Sequence, residues 1–157
     1  MATASTTKQA LQAAVTAFGA ITAGGTYFNT LTGTRQVSSL DMTREERLAT
    51  SYKKMVFVFA GGEEFPDPEI TGNQESALFE LIVVAWVKNS SDSPMEEELL
   101  DLRKDIMLVI GANTELANGL VSNWRAESIE RPIYDEKEGF VTVYTRCEYD
   151  FESGSDY

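Results

Sequence analysis

The sequence contains no histidine and a single cysteine, Cys147, in 157 residues. That pairing of absences excludes zinc sites of the Cys/His type, a Ser-His-Asp triad, a Cys-His dyad and any disulfide within the chain. Nothing in the cysteine usage points to export, so a reducing compartment is the expectation. Bases are scarce as well: thirteen Lys and Arg stand against twenty-five Asp and Glu, a net charge of −12. A nucleic-acid reader or an anionic-membrane binder of the usual basic kind is excluded by that balance. Long hydrophobic runs are missing too. The apolar segment from Ala10 to Ala23 is broken by Gln12, Thr16 and Thr22, too polar and too short for a membrane span or a signal-type block.

What is present is an ordinary globular composition, 43% hydrophobic and 24% charged, far from that of a disordered chain. The length fits one domain, with residues 1–151 as a single α+β unit and residues 152–157 as a flexible acidic tail. Charge is unevenly placed. Residues 1–40 hold two bases, Lys8 and Arg35, and no acid, so the remaining eleven bases and all twenty-five acids leave residues 41–157 at −14. The acids gather from Glu63 to Glu69, from Asp92 to Asp101, from Asp135 to Glu138 and from Glu148 to Asp156. Any one cluster is ordinarily a solvated face; together they make an electronegative surface.

From Thr7 to about Ala23, Leu11, Val15, Phe18 and Ile21 recur at spacings of four and three, which predicts a helix with that face buried and Gly24-Gly25 as its stop. Its other side presents Ala13, Ala17 and Ala20 with no charge after Lys8. Such a face belongs either to a helix buried twice within its own domain or to one that meets another subunit. Residues 26–52 carry weak signals: 26–29 against 35–38 as a pair of short strands, and Thr43 to Arg47 as a helical turn. Lys54 to Ala60 reads as a core strand closed by Gly61-Gly62, and Ala77 to Val87 as a long central strand with an apolar face at period two. Ser93, Pro94 and Glu96 form a capping-box start for a helix whose stripe is Met95, Leu99, Leu102, Ile106, Val109 and Ile110, ended by Gly111. Two more strands, Val121 to Ile129 and Phe140 to Phe151, flank a turn at Asp135 to Gly139. The fold class is therefore α+β, an antiparallel-rich sheet of four to six strands with two main helices packed on it.

Chemistry-bearing motifs are few. Residues 19–26 miss a phosphate-binding loop, because Gly25 stands where its lysine is required. Asn89-Ser90-Ser91 matches a glycosylation acceptor without any secretion signal to give it weight. Cys147 lies in a strand pattern as a packing thiol, and Trp86 and Trp124 lack the basic cluster of a nucleic-acid platform. The carboxylates Glu63, Glu64, Asp67 and Glu69 are the one enzymatic raw material in quantity, for a divalent cation or for an acid and base pair. They lack the Asp-x-Asp-x-Asp-Gly order of a calcium loop.

The order of features from Lys8 to Tyr149 resembles the tail terminator, or tail completion, family of long-tailed bacteriophages. The residues that carry the resemblance are the N-terminal helix; Met55-Val56-Phe57-Val58-Phe59 running into Gly61-Gly62-Glu63-Glu64; the strand Phe79 to Trp86; the helix Glu98 to Ile110 with Asp101 and Asp105; the link Asn113 to Leu120; and a last strand ending near Tyr149. The resemblance implies a non-enzymatic virion protein, assembled in the host cytoplasm, that forms a homo-oligomeric ring, a hexamer, on the head-proximal end of the tail tube. Such a ring stops tube polymerisation and presents a surface to the head-tail connector, with DNA passing through unbound. Its partners are the tube protein and the connector, with no cofactor, no metal and no membrane. Under this resemblance Glu63, Glu64, Asp67 and Glu69 are candidates for the lumen or for tube contacts, and Ala13, Ala17 and Ala20 for the subunit interface. The alternatives are another neck, head-closure or baseplate component and, from a different class, a small acidic hydrolase or cation-binding domain.

Overall fold

The period-two run from Ala77 to Val87 lies in the middle of a six-stranded sheet. The computed structural model describes residues 5–65, 74–90 and 93–152. Along the chain run α1 (Thr6–Gly19), β1 (Val37–Ser38), α2 (Arg44–Ala49), β2 (Lys54–Glu64), β3 (Gln74–Lys88), α3 (Met95–Ala112), β4 (Ser122–Ile129), β5 (Ile133–Tyr134) and β6 (Glu138–Glu152). The strand order is β1-β2-β3-β6-β4, with β5 continuing the β4 edge along β6. Every pairing is antiparallel except that of β1 with β2. The fold is α+β, as the pattern predicts.

Alternation gives the sheet two unlike faces. Val56 and Val58 of β2, Ala77 to Val87 at every second residue of β3, and Val141, Val143, Cys147 and Tyr149 of β6 face α1 and α3 and form the main core. Thr145 sits in that same row because its hydroxyl is committed twice: it accepts from the buried Trp124 indole at 2.8 Å and donates to the Leu81 carbonyl at 2.7 Å. A buried polar group satisfied in this way costs little. Trp124 in turn meets Phe18 of α1 edge-on, with ring centroids 5.6 Å apart.

The buried line of α1 is Thr6, Ala10, Ala14 and Phe18; of the expected line, Phe18 and Ile21 are buried as predicted, whereas Leu11 and Val15 are only half-buried, which corrects the rotation of the helix. Ala10 and Ala14 are small enough to bring the helix backbone down onto the sheet, and Leu11 and Val15 then pack from one flank while Ala13 and Ala17 pack from the other. The helix also ends at Gly19, well before Gly24-Gly25, as Ala20 and Ile21 bond back to Ala17 and Phe18. Helix α3 departs less. It runs one residue past Gly111, and the Ser93 hydroxyl bonds the Glu98 carboxylate at 2.6 Å in place of the expected backbone cap with Glu96. Strand β2 also runs on through Gly61-Gly62, where two residues face one and the Glu80 side chain lies against Gly61 so closely that a Cβ there has no room.

Residues 20–36 are coil, and the expected pairing of 26–29 with 35–38 is not formed; Val37 and Ser38 instead join β2 in parallel. The predicted turn at Thr43 is α2, with Thr43 accepting from the Glu46 N–H and donating to its carboxylate. The coil is fixed by a residue that the helical pattern marks as apolar in position. Asp105 of α3 is fully buried and accepts hydrogen bonds from the backbone N–H groups of Phe28 and Asn29 and from the Asn29 amide, at 2.8 to 3.0 Å. The side-chain amide oxygen of Asn29 accepts from the Lys54 ammonium of β2, so one buried carboxylate ties α3, coil and sheet together. Asp105→Ala leaves two backbone N–H groups and the Asn29 amide unpaired and is expected to cost about 3 kcal/mol in urea unfolding, with Asp101→Ala on the exposed side of the same helix costing less than about 0.5 kcal/mol.

Candidate functional site

The sheet face opposite α1 and α3 is the place where the sequence candidates and the charge meet. Strand β2 brings Glu63 beside Phe79 and Glu64 beside Leu78, and consecutive residues of a strand point to opposite faces. Glu63 therefore lies on the helix side, near the Tyr149 hydroxyl at 3.5 Å, while Glu64 lies on the open face with Arg146 at 3.5 Å. Two adjacent glutamates turned apart do not form the convergent pair that acid and base catalysis requires. Asp67 and Glu69 lie outside the described residues, as does Asp156 of the tail. Among the described residues no cluster of three carboxylate or thiol groups is placed to hold a metal ion.

Ala13 and Ala17 are half-buried and pack against the core of their own chain. Ala20 alone of the three is exposed, as the residue that closes α1.

The open face divides into two zones. At the β2–β3 hairpin end, Arg146 lies between Glu64 and Glu127, and Arg125 between Glu127 and Glu148, all at 3.4 to 3.9 Å. Glu80 stands beside Arg146 in register, and Glu130 accepts from the Tyr144 hydroxyl, a bond that raises the phenol above its ordinary pKa. Carboxylates outnumber the two arginines here, so the zone is anionic yet cross-linked. Pattern reading anticipates Arg146 and Glu148 on the outward face of β6, but their partners on β4 depend on two bulges that shift its register.

At the other end, Met55, Phe57 and Trp86 form a second apolar cluster with Met42, Tyr52, Phe59, Val84 and Phe140. It is covered by α2, a helix with no buried residue of its own, held down by charge. Glu138 is 2% exposed, and one of its oxygens accepts from Arg47 at 2.8 Å and from the Trp86 indole at 3.2 Å. Arg47 also donates to the Met42 carbonyl and stacks over Phe140. Lys88 donates to the carbonyls of Leu48 and Thr50 at the C-terminal end of α2, where a cation is favoured. Arg44 pairs with Asp135, whose carboxyl is held well below the usual carboxylate range, first by that hydrogen bond and then by the N–H groups of Lys137 and Glu138. Glu138 reads in sequence as one more acid of an exposed turn; no periodicity marks it as buried.

The Cys147 thiol is fully enclosed, and burial pushes its pKa up to about 12. An unfolded thiol ionises near pH 8.5, so the folded state is the better proton holder and loses stability as pH rises above about 9.

No protein-family model matches the chain, and no curated protein matches it. Among the described residues no helix is long and apolar enough to cross a membrane.

Removing the cation from the buried pair is the sharper test of how α2 is held. Arg47→Met is expected to cost about 3 to 5 kcal/mol in denaturant unfolding, because it strands Glu138, whereas Arg44→Ala costs less than about 1 kcal/mol. Restoring neutrality with Arg47→Met/Glu138→Gln recovers much of the loss. Cys147 is expected to resist thiol-reactive dye at pH 8 and to react fully once urea unfolds the chain, which absorbance at the dye's wavelength reads directly.

Proposed function

We propose that this chain is a structural, non-enzymatic virion protein that closes the head-proximal end of a phage tail tube as a ring of identical subunits, a hexamer, and offers the ring's upper surface to the head-tail connector. Two lines support this. One is the sequence resemblance over most of the chain to tail terminators. The other, which carries it on structural grounds, is the unlike pair of sheet faces: α1 and α3 cover one, and the other, beyond the patch beneath α2, presents the cross-linked anionic zone of Glu64, Glu80, Glu127, Glu130 and Glu148 around Arg125 and Arg146.

Facing a bore, such a surface repels DNA phosphates and lets the genome pass without adhering. Its ion pairs hold the side chains in place where isolated acids project freely. Glu64, on the open face of β2, then lies at the rim of the bore.

The test is assembly on tubes. Added to polymerising tube protein, the chain is expected to arrest growth and to appear by electron microscopy as added density at one end only, the end that subsequently binds connector. Density at the opposite end, along the shaft or nowhere overturns the proposal. Charge reversal by Glu64→Lys/Glu80→Lys is expected to leave capping intact and to slow DNA passage, measured as genome ejection from reconstituted particles.

A further inference from the structure

Two exposed apolar features lie at opposite edges of the sheet, on one face and in one row. Ile133 of β5 pairs with Phe140, Phe140 with Trp86, and Trp86 with Met55, so a single line of side chains crosses β5, β6, β3 and β2 on the open face. At the β5 end the line finishes in a projection: Ile133 is 65% exposed, with Tyr134 beside it at 53%. At the other end it finishes in a depression of about 400 Å³, with Met55, Tyr52, Met42 and the 53% exposed Leu40 among its walls.

The charged surroundings are complementary. Asp41, Glu46 and Arg35 edge the groove, and Arg131 and Glu96 edge the projection. Neither Arg35 nor Arg131 forms an ion pair among the described residues.

We propose that the groove at Leu40, Met42, Tyr52 and Met55 receives Ile133 of a second copy of this chain. The occupant is a second copy because both halves of the contact belong to one sequence and lie on one face at one level. A copy displaced sideways across the strands brings its projection to its neighbour's groove, with Arg131 toward Asp41 and Glu46 and Glu96 toward Arg35. The contact joins unlike surfaces, leaves a groove free at one end and a projection at the other, and so repeats until it closes. It deepens and rests on the ring reading above, naming the edges that meet, and it keeps the anionic face of every subunit on the same side.

The test uses the full chain and two variants with one added cysteine each, Leu40→Cys and Ile133→Cys; Cys147 is buried and does not compete. Mixed under a mild oxidant, the two are expected to form the unlike disulfide dimer at least about tenfold more than either forms with itself. The double variant is expected to give a ladder that ends in one closed species. Arg131→Glu lowers the yield, and adding Glu46→Arg restores it; circular dichroism melting confirms that each variant is folded. Unlike dimers no more abundant than like ones overturn the proposal. Tube capping by the wild type with no such cross-link leaves the ring standing and rejects this contact, while cross-linking without capping keeps the contact and rejects the tail role.

Discussion

The pairing of Gln74–Lys88 with Glu138–Glu152 is the constraint on which the rest of the molecule depends. Fifteen residue pairs run from Gln74 and Glu152 to Lys88 and Glu138 with no shift of register, so side chains on both strands stay in phase across the whole sheet. Because β3 is apolar at every second position from Ala77 to Val87, one face is committed to the core. The helices lie there, and everything charged on β6 is sent to the other side. The buried Glu138, the ion pairs at Arg146 and the cross-sheet row from Met55 to Ile133 all inherit their positions from that ladder.

The parts of the fold that were legible in the sequence are those where one periodicity acts alone. β3 and α3 are the clear cases, since a strict alternation and a capped, acidic helix start each have a single structural solution. α1 was legible as a helix but not in its rotation. The larger side chains suggested the buried line, yet Ala10 and Ala14 set it, because close approach of backbone to sheet outweighs the size of any one side chain. Residues 26–52, apart from the turn at Thr43, are poorly legible for a different reason: long-range polar bonds to Asp105, Glu138 and Lys88 hold them, and such partners, some forty to ninety residues apart, leave no local pattern.

The same holds for the candidate site. Glu64 was singled out from its place in an acidic run, but the arginines that organise it, Arg125 and Arg146, come from β4 and β6 and are recognisable only once the register is known. Net charge of −12 is thus a poor description of the surface. On the open face the acids are spaced by two arginines into a lattice, and Glu138, counted among the exposed acids by composition, is a buried anchor beneath α2.

The extra residue at Gly61-Gly62 has a consequence for inheritance as well as for shape. Ahead of it, even-numbered residues of β2 face the helices; beyond it, odd-numbered ones do, so the bulge acts as a phase slip within the strand. It alone decides that Glu64 and not Glu63 reaches Arg146. A deletion of one glycine would keep every side chain of the hairpin and exchange the faces on which the two carboxylates stand. Length at this point in the chain is under tighter constraint than identity, and descendants of this sequence should vary the acids of the hairpin more freely than the number of residues that precede them.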